Sequence, residues 1–423
     1  MNNLLKTKKA GSALPLAMLA LVILLTLGGG LLSLGLNRRI FSVRTTSKIK
    51  ARAAADAGLA KALFEMNQKL NDGYWDGIAL ARTTNESTTA NYLDGSALPT
   101  AKNTGLPYCG EVFSYIVTGD MASGYTIESI GISNNAQKRV TSLLKLTGPF
   151  EHAIWTQETM VIKADSKIGG YNSSDPTDTN INVRIGTNST LDKSVVLNSG
   201  AVVYGDVCVG PGGSVETAIA DYGATVTGDR YAAPDEVEFP PVTPPVFTNE
   251  STNIIIQGET LALTPGDSGQ YQKIWLKNTN TPTILKIASG DVVLHITGDV
   301  IFGQECTLTI EKGASLRMYI DGKLSCGNDS GINNLGPPTS LKIYHSGTSE
   351  ESWTVNAKSQ SLGAIYAPNV DLKLMAKGDV RGAMMCNSFD FMAQGSFLYD
   401  KALADAELDD ELIRFETLRW SED

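Results

Sequence analysis

Twenty-seven consecutive uncharged residues, from Ala10 to Leu36, constrain this 423-residue chain more than any other feature. A helix rises ~1.5 Å per residue, so ~20 residues cross a bilayer core, and this run exceeds that length. Lys6, Lys8 and Lys9 precede it, and Arg38 and Arg39 follow it. A helix in a soluble core seldom carries so long a run between basic flanks. The apolar stretch of a cleavable secretory signal is only ~7–15 residues. The run therefore predicts a membrane-spanning helix. Inside it, Gly28, Gly29 and Gly30 each cost ~1 kcal/mol of helix stability relative to Ala. They serve either close helix packing in lipid or a stretch that loosens when the helix leaves the bilayer.

Charge divides the chain. Residues 1–69 hold 11 Lys and Arg against 2 Asp and Glu, a balance of +9, and the remainder carries −19. The acidic remainder excludes nucleic acid as an expected partner. The basic residues cluster where they meet anionic lipid headgroups. Arg38, Arg39, Arg44, Lys48, Lys50 and Arg52 all follow the span closely, so a positive-inside count alone places the C-terminal part in the cytoplasm.

The segment Lys8-Lys9-Ala10-Gly11-Ser12-Ala13-Leu14-Pro15-Leu16 resembles the start of type IV prepilins and type II secretion pseudopilins. The resemblance implies a leader peptide over residues 1–11 that ends at Gly11, removed by prepilin peptidase. It implies a methylated mature N-terminus at Ser12 and a transmembrane helix over 12–36 in inner-membrane lipid. Against the charge count, it places the C-terminal region outside the cytoplasm, in the periplasm or at the cell surface. Other pilins or pseudopilins are the implied partners. Major pilins carry Glu at the fifth mature position, where this chain has Leu16. That departure points to a minor or tip component.

Residues 37–70 read as a continuing helix, with Leu59, Leu63, Met66 and Leu70 as one apolar stripe. Ala51 to Ala60 looks like the Ala-rich second half of a minor-pilin helix. Residues 71–107 read as loop. Strands are expected over 111–120, 124–133 and 140–147, a meander. Residues 37–147 thus form an expected pilin-like helix and β-meander.

Beyond Gly148-Pro149 short Val, Ile and Leu runs alternate with Gly, Asn and Asp turns, which predicts a first β-rich segment over 148–230. A connector over 231–250 contains Pro234, Pro240, Pro241, Pro244 and Pro245, too many prolines for a central strand. Val293–Val300 resembles Met318–Leu324 at an offset of 24, aligning Ile296 with Ile320. Gly363–Leu372 resembles Gly382–Phe391 at an offset of 19. Such repeats predict β-solenoid coils over 251–400, with a β-sandwich as the competing architecture. Residues 401–423 read as a C-terminal helix covering the stack, from the spacing of Leu403, Leu408, Leu412, Ile413, Phe415 and Leu418. The expected fold class is therefore mainly β with an N-terminal transmembrane α-helix: a helix-plus-meander stem, a right-handed β-helix-like region and a C-terminal helix. Residues 291–400 also look like the β-rich C-terminal modules of uncharacterised pilin-like membrane proteins, through Gly331-Ile332-Asn333-Asn334, Gly363–Asn369 and Phe397–Leu403. That likeness supplies architecture and no chemistry.

No catalytic, cofactor-binding or metal-binding residue is assigned. His152, His295 and His345 lack a second His or a Cys at ligand spacing. Among Cys109, Cys208, Cys306, Cys326 and Cys386, the pair Cys306 and Cys326 is the candidate disulfide, because ~20 residues is near one coil. Asp175 and Asp178, with Asn172, Ser173 and Ser174, offer oxygen ligands without EF-hand spacing and read as a solvated turn. Asp371, Asp379 and Asp390 are the carboxylates a glycan-cleaving solenoid would need together. The expected role is structural and non-enzymatic: a minor pilin or pseudopilin of a type IV pilus or type II secretion assembly. Its head would contact other pilins, a secreted substrate or a surface glycan. Two alternatives are a membrane-tethered glycan-binding or glycan-cleaving β-helix and a cytoplasmic bactofilin-like scaffold. A disulfide excludes the scaffold, and an exposed aromatic row favours the glycan reading.

Overall fold

From Ala13 onward the apolar run and the residues after it form one unbroken helix, α1 (Ala13–Asp72), of 60 residues. At ~1.5 Å per residue it is ~90 Å long. The computed structural model describes residues 13–72, 98–120, 124–175, 177–178, 181–248, 250–251, 253–358, 361–376, 379–392, 394–405 and 411–422. They fall into two compact units, residues 1–145 with 415–423, and residues 146–414.

In the first unit the second half of α1 lies on an antiparallel meander of β1 (Thr100–Gly105), β2 (Val112–Asp120), β3 (Gly124–Ser133) and β4 (Ala136–Thr147). Strand β1 falls in the expected loop. Its sequence, TAKNTG, has no apolar alternation, and its pairing with β2 is irregular between Ala101 and Thr104, as suits an edge strand. The buried helix face is Ser47, Ala51, Ala54, Ala55, Gly58, Ala62, Met66 and Leu70, while Leu59 and Leu63 are half-buried. Small residues occupy that face because the sheet comes very close. A Cβ on Gly131 of β3 would stand 2.0 Å from the Ala51 carbonyl oxygen and 2.3 Å from the Ala55 nitrogen. Real side chains do not reach such distances, so glycine is required at this crossing.

The residues expected to form a C-terminal helix do otherwise. Lys401–Ala404 makes a short 3-10 turn, and Arg414–Glu422 is a strand beside β4, the fifth of the sheet. Leu412 takes φ 61, a left-handed conformation that no helix continues through. Phe415 is buried edge-on against Tyr125, with ring centroids 5.3 Å apart, and its N–H donates to Asn67 Oδ1 at 2.6 Å. The partners that make this segment a strand are hundreds of residues away in sequence, so local spacing misled.

The second unit is one 27-stranded sheet that is almost wholly parallel, in which most strands pair with the strand three places later. Three strands thus complete a circuit before the chain rises one rung, a pattern consistent with the β-helix-like architecture expected from the sequence. The expected repeats are register partners: Ile296 pairs with Ile320, and Gly363 with Gly382. Inward side chains stack in columns. Leu294, Met318, Ile343, Ile365, Met384, Ile154, Ile185 and Val207 form one such column, each at most 1% exposed. Full burial of each such side chain contributes ~1.5–3 kcal/mol.

Rung order departs from chain order. One outer ladder runs Glu250, Gln270, His295, Tyr319, Tyr344, Tyr366, Met385, Trp155, Gly186, Cys208, Tyr231. The rungs of residues 250–400 come first, and those of 154–232 are stacked on their far side. The chain therefore enters and leaves this unit at a joint inside the stack, where Thr147 bridges Asp405. The Pro-rich connector joins the two outer ends. Ten rung steps of ~4.8 Å need ~48 Å. Residues 233–249 at the ~3.1 Å per residue of an extended polyproline-like chain span ~53 Å. A strap without strand-like hydrogen bonding is what this traverse requires, and proline supplies it.

Candidate functional site

No catalytic constellation is formed by the residues singled out in the sequence. Among the described residues no group of three His, Cys, Asp or Glu is placed to hold a metal. His152 is tilted against Trp155 with ring centroids 4.5 Å apart, and burial, with Arg184 nearby, lowers its pKa to about 3. His295 Nε2 lies 3.1 Å from Asp321 Oδ2. His345 is buried edge-on against Trp353 at 5.5 Å, and burial lowers its pKa, opposed by Asp321. Asn172 Oδ1 accepts from Ser174 N, Ser174 Oγ and Asp175 N, and Asp175 Oδ1 accepts from Thr177. Asp178 is paired with Lys401 at 2.9 Å. The turn satisfies its own oxygens.

The three candidate carboxylates stay apart in function. Asp371 accepts from Ser388 Oγ at 2.5 Å and Asn387 Nδ2 at 3.0 Å, and Asp390 pairs with Lys163 at 3.3 Å. Asp379 begins the strand that carries Asp390, eleven residues before it, and is opposite Ser396. The expected Cys306–Cys326 disulfide is not made: all five cysteines are free thiols. The local rung spacing is 24, with Thr307 opposite Gly331 and Phe302 opposite Cys326, so a pair 20 apart falls four residues out of register. Burial pushes the Cys326 thiol up to about 12 and raises Cys208, Cys306 and Cys386 as well, which keeps these thiols protonated and unreactive. Gly11 and Ser12 lie outside the described residues.

An aromatic row does exist, but it is covered. Tyr319, Tyr344, Tyr366 and Trp155 belong to the outer ladder and are all buried. The strap lies over part of this row. Phe239 stacks on Tyr366 at 6.1 Å, and the Tyr366 hydroxyl donates to the Pro240 carbonyl at 2.8 Å. Asn188 clamps Val237 through both backbone groups, at 2.7 and 3.1 Å, and receives the Trp155 indole N–H at 2.9 Å. Tyr319 donates to Glu411 at 2.7 Å. The row serves as a bed for the chain's own segments.

Sequence reasoning missed Asp400, which is fully buried at the joint between the two sets of rungs. Its carboxylate accepts from Ser173 N at 2.9 Å, Ala402 N at 3.2 Å and Tyr171 Oη at 3.3 Å. Arg381 lies 4.7 Å over the Tyr171 ring. The local bond of Asp400 to Ala402 N is an ordinary cap, and the signal of a buried cluster is missing from the spacing because the other two donors come from residues 171–173.

What remains as the clearest functional surface is the first half of α1. Residues 16–46 are exposed throughout, with Leu16, Leu24, Leu25, Leu31 and Phe41 at 68–72%. Among the described residues, one helix is long and apolar enough to cross a membrane, with a mean hydropathy of 2.3 over its best window and none of that window buried. So large an apolar surface requires a lipid or protein environment that the described residues do not supply. The three glycines continue the helix, and nothing stands within 4 Å of where their Cβ atoms would be.

The family described as Domain of unknown function (DUF7305) matches residues 247–406, the part of the chain that supplies the first seven rungs of the parallel stack. Among solved structures, the competence-associated pilin ComZ from Thermus thermophilus aligns over 89% of this chain and 98% of its own, at 14% identity and a TM-score of 0.21. No curated protein sequence matches the chain.

Proposed function

We propose that this chain is a membrane-anchored, pilin-like structural component, a minor pilin or pseudopilin of a type IV pilus or type II secretion assembly. One observation carries the reading: a bare apolar half-helix runs without a break into a half that rests on an antiparallel meander through Ala and Gly. The apolar half is held by inner-membrane lipid before assembly and by other pilins or pseudopilins after it. Prepilin peptidase cuts after Gly11 and Ser12 becomes the methylated first residue. Leu16 in place of the usual Glu assigns the chain a minor or tip position. The parallel stack is a β-solenoid head, carried outside the cytoplasm, whose uncovered outer strand faces make surface or protein contacts. The role is non-catalytic.

Mass spectrometry of the membrane-extracted protein tests the reading. The expected chain begins at N-methylated Ser12. A chain that retains Met1 or Asn2 in a strain with active prepilin peptidase overturns it.

A further inference from the structure

The uncovered outer face of the first rungs carries a feature that the pilin-like reading does not use. In Lys273-Ile274-Trp275-Leu276-Lys277 the strand alternation is complete. Ile274 and Leu276 are fully buried, and Lys273, Trp275 and Lys277 project from the opposite face. Trp275 is 38% exposed. In register above and below it stand Ile255, 46% exposed, and the half-buried Ile301. The three make an apolar strip along the stacking direction, two rung spacings or ~10 Å long. Across it, the two ammonium groups are held over the indole, Lys277 Nζ at 4.6 Å and Lys273 Nζ at 5.4 Å from the ring centroid. Neither lysine forms an ion pair among the described residues. Asp299, just before the Ile274–Val300 pairing, accepts the Lys323 N–H at 2.9 Å.

We infer that this strip is a binding site for an acidic polysaccharide, a chain of pyranose rings bearing carboxylates. When the flexible lysines leave the ring for an incoming carboxylate, the freed indole and its aliphatic neighbours suit the C–H face of a sugar ring, and the strip is about as long as a disaccharide. The two ammonium groups, held near the ring by its quadrupole, turn to meet carboxylates on successive sugars. A flat face suits an extended polymer. An acidic peptide adding a strand would need an edge, and a strip only two rungs long suits a single polymer chain better than a wide bilayer surface. Cation–π placement also explains why the lysines stay poised with no carboxylate of their own. The inference deepens the surface-contact part of the proposed function, and it stands or falls separately from leader processing.

The test is affinity electrophoresis and biolayer interferometry on the full chain in nanodiscs of neutral lipid. Polygalacturonate and alginate are the acidic probes, dextran is the neutral probe, and phosphatidylglycerol vesicles are the membrane probe. Expected are binding to the acidic polymers that weakens with salt, at least a tenfold loss in Trp275→Ala, and loss of the preference for acidic over neutral polymer in the double variant K273Q/K277Q. Circular dichroism melting of both variants reports that the head remains folded. Absence of acidic-polymer binding by the wild-type chain, wild-type affinity in a folded Trp275→Ala, or binding to the vesicles alone overturns the inference. Because the assay needs no pilus, a positive result with an unprocessed N-terminus would retain this site while removing the pilin pathway.

Discussion

In the stem, helix and sheet meet through Ala51, Ala54, Ala55, Gly58 and Gly131, residues with almost no side chain, whereas the head is filled by columns of Leu, Ile and Met. The two units therefore have opposite sensitivities. The stem is limited by crowding: closeness of backbone to backbone is what holds it, and added volume separates the layers. The head is limited by completeness: each rung lends surface to the next, and a lost contact or an unpaired polar group is felt along the column.

The largest expected effect breaks the stem alone. Gly131→Leu places a side chain into the Ala51 carbonyl and costs about 4 kcal/mol or more. Limited proteolysis should then degrade α1 and the meander while residues 146–414 resist. Asp400→Ala does the reverse. It strands the Ser173 and Ala402 amides and the Tyr171 hydroxyl at the joint, costing about 3 kcal/mol, and should lower the melting transition of the head while leaving that of the stem.

Acidification sharpens the same contrast through His345. Its folded pKa is depressed by burial. The unfolded chain therefore binds the proton first, and stability present above pH ~6.5 falls as the pH drops below that value. Asp321, the neighbouring carboxylate, moderates the loss. The head's melting temperature should decline between pH 6.5 and pH 5, and His345→Leu should reduce that slope, the remainder coming from His152, whose pKa burial lowers to about 3. A slope unchanged in the variant would assign the effect to another group.

Gly58→Ala is a milder probe of crowding than Gly131→Leu. The new Cβ would meet the Ser129 hydroxyl at 2.4 Å and the edge of Phe113 at 2.9 Å. Both are side chains that can turn, so about 1 kcal/mol is expected by chemical denaturation. The smallest effect on folding belongs to replacing Gly28, Gly29 and Gly30 together by Ala. Both units should melt as in the wild type, while the stiffened helix enters membranes normally and filaments poorly. Normal filament incorporation would show that the glycines serve packing and not loosening.

Much of this architecture was legible because its signals are local. The offsets of 24 and 19 name true register partners, since a parallel stack places like residues above like. The run from Ala10 to Leu36 announced its helix by length alone. The stem's contact face was harder to see. Leu59 and Leu63 look like its core, yet Ala and Gly form it, because the approach is set by a glycine on a strand more than seventy residues later. The strand Arg414–Glu422 and the cluster around Asp400 were hidden for the same reason: their partners lie in distant sequence. Rung order left no trace either, since any rung can stack on any other of like width. The candidate disulfide failed for arithmetic reasons, its spacing being close to a rung but not equal to one.

The strap has a mechanical consequence. A cut anywhere within residues 233–249 would divide the chain into two pieces, and each piece would keep its own covalent attachment to a stem strand, one through β4 and the other through Arg414–Glu422. The pieces would still be laced together by the rungs that meet at Asp400. A nicked molecule would thus remain whole under proteases that shear off appendages hung from a single linker.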